Sequence, residues 1–202
     1  MNIKKAIVTG LTTLSLLAGA FPVFGAKPMM VKPWEYDPDK TGIVKSAWVT
    51  KEGLKDAGNS NHALYLTKMG TTATNAASGA TVNFTGVLDE LGFDYRNDGW
   101  CGAGAPRFNV YTTAGTYYFF GCTYGLHTPS LEDPVNWTRV RFTNADAFPA
   151  DGVTPFPGFG TVEVTGMDIV FDEGTDLALN PGFAYLDNLD IDGTLVGKPG
   201  AN

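Results

Sequence analysis

Nowhere in this sequence do apolar residues recur at helical spacing for long enough to make an amphipathic helix. That absence argues against helical bundles, coiled coils and the alternating strand–helix units of parallel α/β folds. Basic charge is scarce as well, with 14 Lys and Arg against 21 Asp and Glu. A surface so short of cations suits neither nucleic acid nor an anionic membrane, both of which are gripped through phosphates. Catalytic vocabulary is thin. There are two histidines, no Ser in a G-x-S-x-G turn, no H-E-x-x-H and no phosphate-cradling glycine loop. His127, Ser130 and Asp133 lie close together, but in a Pro-rich loop that offers no reason for triad geometry. Glycoside hydrolysis needs only two suitably spaced carboxylates, and no paired-carboxylate motif stands out.

Long apolar runs are confined to the start of the chain. Lys4 and Lys5 precede "AIVTGLTTLSLLAGAFPV", and "VFGA" puts Val23 and Gly25 at the −3 and −1 positions of a cut after Gly25. Residues 1–25 therefore read as a secretory signal peptide, and the protein is expected to be exported, without membrane insertion once the signal is removed. Residues 26–202 are expected to form one domain, since 177 residues can bury a real core. Loss of Lys4 and Lys5 leaves 12 basic against 21 acidic side chains, a formal charge of −9. The acidic residues cluster late: ten of them, and no Lys or Arg, lie between Asp146 and Asp192. Such a tract can be a solvated face or a supply of oxygen ligands for Ca²⁺. No pattern speaks to the oligomeric state.

What the chain does have is short runs rich in Val, Ile, Phe, Tyr and Thr between Gly, Asn, Asp and Pro clusters, the signature of an all-β, two-sheet antiparallel sandwich. Strands are expected near "IVKSAWV", "ALYLTK", "ATVNF", "LGFDYR", "RFNVYT", "TYYFFG", "WTRVRF", "TVEV", "GMDIVF" and "FAYLDNLDI". "TTATNAASGA", "LHTPSLEDP" and "PADGVTPFPGFG" read as loops. Alternation assigns faces: Phe93 and Tyr95 oppose Asp94 and Arg96, Phe108 and Val110 oppose Arg107 and Asn109, and Val140 and Phe142 oppose Arg139 and Arg141. If these strands are neighbours, their polar sides form one outer patch. It would be either a ladder of weak surface ion pairs or a ligand-binding face with Arg forks.

The two cysteines, Cys101 and Cys122, read first as a disulfide in an exported protein. "RFNVYTTAGTYYFF" predicts a hairpin turning at Thr113 to Gly115, which sets Cys122 opposite about Ala105 and leaves Cys101 four residues further back. A zinc site would need His62 and His127 as well, and the spacing matches no redox motif. Trp100 and Tyr124 flank the cysteines in Gly-rich segments. They could stack on sugar rings, with Asp94, Arg107 and Asn109 holding hydroxyls, or Trp100 could pack against the disulfide. In "GFAYLDNLDIDG", Asp187 shares the parity of Tyr185, Leu189 and Ile191, which predicts a buried carboxylate needing a hydrogen-bond, ionic or metal partner.

With its "LDN" last strand, its "SNHALYLTK" strand and its central "LGFDYR…CGAGAPRFNV…GTYYFFGC", the chain resembles secreted bacterial jelly-roll modules of the galactose-binding-like and carbohydrate-binding-module superfamily. It is similar too to exported proteins carrying the same "CGxGxPRFxV" hairpin, and the likeness runs from about Ala47 to Gly193. The resemblance implies a jelly roll. It also implies a structural Ca²⁺ on Asp187, with Asp56 or Glu35 as its partner. The expected function is a secreted, non-catalytic module for a glycan or other extracellular polymer. The alternatives are a structural or interaction protein of the cell envelope or biofilm matrix, and a jelly-roll hydrolase or lyase.

Overall fold

The computed structural model describes residues 29–56 and 60–197, so the signal segment expected at 1–25 lies outside the described residues. Its strands are β1 (Val31–Tyr36), β2 (Val44–Val49), β3 (Ala63–Lys68), β4 (Ala77–Val82), β5 (Gly86–Val87), β6 (Leu91–Arg96) and β7 (Arg107–Thr112). They continue with β8 (Tyr117–Gly121), β9 (Leu126–Pro129), β10 (Trp137–Arg141), β11 (Phe148–Pro149), β12 (Glu163–Phe171), β13 (Phe183–Ile191) and β14 (Thr194–Val196). Helical structure among the described residues is limited to single 3₁₀ turns at Cys122–Tyr124 and Asn144–Asp146. No described helix is long and apolar enough to cross a membrane.

All pairings are antiparallel and make two sheets. The front sheet runs β1-β4-β12-β7-β8-β11 with β5 beside β12, and the back sheet runs β2-β3-β13-β6-β10-β9 with β14 beside β13. Residues of both sheets meet in one core. The last long strand of each sheet is thus inserted in its middle, β12 between β4 and β7 and β13 between β3 and β6, so the chain's end is held among strands from much earlier in the sequence. The expected two-sheet sandwich is the observed fold.

Alternation built the core as expected. Phe93 from the back sheet meets Phe108 from the front sheet, with Phe120 and Phe142 beside them at ring separations of 5.5–6.1 Å. Leu64, Leu66, Leu186, Met167 and Ile169 fill the space around these rings. Removing that much apolar surface from water is the main force holding the sheets together.

The departures from the expected strands have local causes. β1 was not expected, because Pro33 interrupts its pattern, and proline is tolerated there because β1 is an edge strand. The second half of "TTATNAASGA" is strand β4, and "LHTPSLEDP" opens with the edge strand β9. "TVEV" and "GMDIVF" belong to one strand, β12, whose register slips between Val164 and Gly166.

The largest correction concerns β13. Ala184 and Leu186 face the core, while Tyr185 and Asp187 face outward. Asn188 then takes φ +43°, the register shifts between Asp187 and Asp190, and Leu189 and Ile191 return to the core. A bulge of this kind inverts the parity that simple alternation assumes.

Candidate functional site

The polar patch expected from Asp94, Arg96, Arg107, Asn109, Arg139 and Arg141 does not form as one surface. β6 and β10 pair in the back sheet, whereas β7 lies in the front sheet, so Arg107 and Asn109 are on the opposite face from the rest. Every arginine is spent on a carboxylate: Arg96 on Glu52 and Asp98, Arg107 on Asp172, Arg139 on Asp94, and Arg141 on Asp190.

The cysteines are joined, with Cα atoms 5.2 Å apart, at the open end of the hairpin formed by β7 and β8. That hairpin turns where expected, with Gly115 at φ +80°. The Cys122 amide donates to the Pro106 carbonyl, one residue from the expected position. The bridge lays Gly102–Gly104 against the end of β8 so closely that a Cβ on Gly121 would stand 1.9 Å from the Ala103 carbonyl oxygen. Only glycine permits that approach. Cys101, Cys122 and His127 are the only described group of three metal-ligating side chains within reach of one another, and two of the three are consumed by the disulfide.

On the front face beside this loop, register lines up Asp168 on β12, Asn109 on β7, Phe119 on β8 and Phe148 on β11. Tyr111 and Tyr117 form the next rung, with rings 5.6 Å apart, and Phe119 meets Tyr117 edge-on at 5.2 Å. Tyr124 leaves the 3₁₀ turn after the disulfide and packs on Phe148 at 4.6 Å. Both rings are 44% exposed. With Phe119, Arg107, Gly104 and Gly121 they line an open cavity of about 380 Å³.

Ion pairs and hydrogen bonds brace this face. Arg107 donates bidentately to Asp172 at 2.6 and 2.8 Å, to the Gly104 carbonyl at 2.6 Å and from Nε to Asn109 Oδ1 at 2.9 Å. Its guanidinium also sits 5.2 Å from the Phe119 ring centre. Asp168 Oδ1 accepts from Thr81 and, at 3.3 Å, from the Trp34 indole. The Tyr111 hydroxyl lies against Asn109 and Asp168, and burial pushes its pKa up. A continuous polar ribbon therefore runs alongside the aromatic strip.

Of the expected site residues, Arg107, Asn109 and Tyr124 share this face. Trp100 is half-buried against the core, its indole N–H donates to Glu173 and its amide to the Phe183 carbonyl, and it does not line the cavity with Tyr124. Asp94 is wholly buried on the back face, where it accepts from Ser130, Arg139 and Asn188. His127 hydrogen-bonds the Cys122 carbonyl oxygen, so it and Ser130 serve different partners. Phe119, Phe148, Asp168 and Trp34 were missed. Alternation in "TYYFFG" could have sent Tyr117 and Phe119 outward, but Phe148 sits in a two-residue strand with no periodic signal.

Asp187 lies under a strap that follows β2. Leu54 of the strap packs with Ala63 and Trp137, its amide donates to Asp187 Oδ2 at 2.6 Å, and Asn188 donates to Oδ1 at 2.7 Å. Burial, partly offset by these hydrogen bonds and reinforced by Asp56 and Glu132, pushes the Asp187 pKa up to about 7. A Cβ on Gly197 would stand 2.8 Å from Asp187 Oδ1 and 3.4 Å from Asp56 Oδ1, so glycine leaves a small space bordered by two carboxylates. Glu35 is elsewhere, accepting from the Ser46 amide.

No family model, curated protein or solved structure matches this chain.

Proposed function

We propose that the protein is a secreted, non-catalytic module that binds a glycan or a similar hydroxyl-rich extracellular polymer on its front face. The observation that carries this reading is the pair of half-exposed rings, Tyr124 and Phe148, set beside Phe119 in an open cavity next to the Asn109–Tyr111–Asp168 ribbon. Ring faces stack on the C–H surfaces of sugars, and a few fixed polar groups then orient the hydroxyls. Two carboxylates beside the disulfide loop are already engaged, Asp172 by Arg107 and Glu173 by Trp100 and the Gly104 amide, which favours binding over chemistry.

Affinity electrophoresis through gels containing soluble β-glucan, xylan, galactomannan or pectin tests the proposal. Retardation by one polymer is expected, with a loss of at least about tenfold in affinity for Tyr124→Ala and for Phe148→Ala, as each removes a stacking surface. Retardation insensitive to both changes would overturn the site. No retardation in any gel would overturn the glycan reading and favour a structural module.

The same proposal includes a structural Ca²⁺ held by Asp187 and Asp56. The donor set is suitable in kind, being carboxylate oxygens bordering a Cβ-sized space, and a hard cation would offset the mutual repulsion of those acids.

A further inference from the structure

The back face carries a second set of rings that the front-face site does not use. Tyr185 on β13 and Tyr65 on β3 are register partners, their ring centres 4.8 Å apart and tilted by 34°. The Arg96 guanidinium lies 3.6 Å from the centre of the Tyr185 ring, and Glu52 and Asp98 hold it there at 2.6 and 2.7 Å. Arginine, Tyr185 and Tyr65 thus form one braced stack. Beside Tyr65 opens a cavity of about 540 Å³ whose rim bears Lys45, Thr50 and Glu52.

We infer that this cavity is a second glycan-binding site, so that one molecule joins two polymer chains. The inference rests on the front-face glycan reading. Its chemistry repeats that of the front site: an arginine fixed by acids and laid over a ring, further aromatic surface, and polar groups at the edge. Lys45 and Thr50 supply donors, Thr50 and the free carboxylate oxygen of Glu52 supply acceptors, and the two formal charges oppose each other. A neutral polyhydroxylated ring can use both charges at once, whereas a charged ligand would meet one of them with the wrong sign. The two cavities open on outer faces of different sheets, and packed sheets stand ~10 Å apart before their outer side chains are added. A short oligosaccharide lying flat on one face cannot reach the other, so the sites bind separate chains and gain by multivalency on a polymer.

The test uses the polymer from the same four-member panel that retards the wild type, and a short oligosaccharide cut from it. Titration calorimetry of the wild type is expected to give two oligosaccharides per protein, and mixing with the polymer is expected to give a pelletable network. Tyr65→Ala should leave one oligosaccharide per protein and abolish the network, Lys45→Ala should weaken the same site at least about fivefold, and Tyr65→Phe should keep both readouts. Tyr124→Ala should also leave one site, and the Tyr65→Ala/Tyr124→Ala pair none. One oligosaccharide per wild-type protein, unaffected by Lys45→Ala and Tyr65→Ala, would overturn the second site and leave the front site standing. Failure of the wild type to bind any of the four polymers would overturn both.

Discussion

Lys68 carries a charge although it is only 1% exposed. Its ammonium group donates to the main-chain carbonyls of Thr72, Thr74 and Asp172 at 2.8–3.2 Å, tying the loop after β3 to the end of β12. Desolvation lowers its pKa while Asp172 and Asp176 raise it. Lys68→Met would keep the stem's packing but orphan three carbonyls, and is expected to cost roughly 3 kcal/mol in urea unfolding. A loss below about 1 kcal/mol would contradict this role. Asp187 is the opposite case, an acid held among acids. Its pKa is about 7 in the folded protein against ~3.9 when unfolded, so between those values the folded state holds the extra proton. Its contribution to stability is therefore greatest below about pH 4 and is lost as pH rises towards 7, by on the order of 4 kcal/mol. In chelator, the melting temperature of Asp187→Asn should vary less between pH 4.5 and 7.5 than that of the wild type; parallel profiles would refute the assignment. At pH 7.5, millimolar Ca²⁺ should raise the wild-type melting temperature and leave that of Asp187→Asn unchanged. No rise in the wild type would overturn the calcium proposal.

Single elements explain why the two faces differ. The hairpin of β7 and β8 is anchored by Cys101–Cys122, and the bridge shapes one wall of the front cavity through Gly102–Gly104. Replacing both cysteines by serine should cost about 3 kcal/mol, the chain-entropy expectation for a loop of this length. It should also weaken polymer binding beyond what a disulfide-independent site would show. Unchanged affinity in a folded double variant would separate the bridge from the site. On the back face, the strap after β2 and the bulge at Asn188 bury Asp187, Asp94 and Trp137, leaving the Tyr65–Tyr185 stack as the open aromatic surface. Neither device has a periodic signature. "YLDNLDI" reads as one alternating strand with Asp187 out of place until the backbone at Asn188 shows where the extra residue goes.

At the scale of the molecule, most strands were legible because half-buried antiparallel strands must alternate, and "RFNVYT", "TYYFFG" and "WTRVRF" do so cleanly. The disulfide was legible because only two cysteines exist and one hairpin brings them within reach. The placing of the polar residues was read only in part. Arg107, Asn109 and Tyr124 share the front face, but Asp94 lies in the other sheet and Trp100 in the packing of the loop that joins the sheets. Local pattern says which side of its own strand a residue takes. It carries no record of which strands become neighbours, because that is decided by long-range pairing and by how each sheet covers the shared phenylalanine core. The amino-acid sequence by itself therefore determined an all-β sandwich with one clamped hairpin and the inward or outward sense of most side chains. Only the tertiary structure decided that the arginines are spent on carboxylates across two separate faces, and that rings distant in sequence meet in open cavities on both.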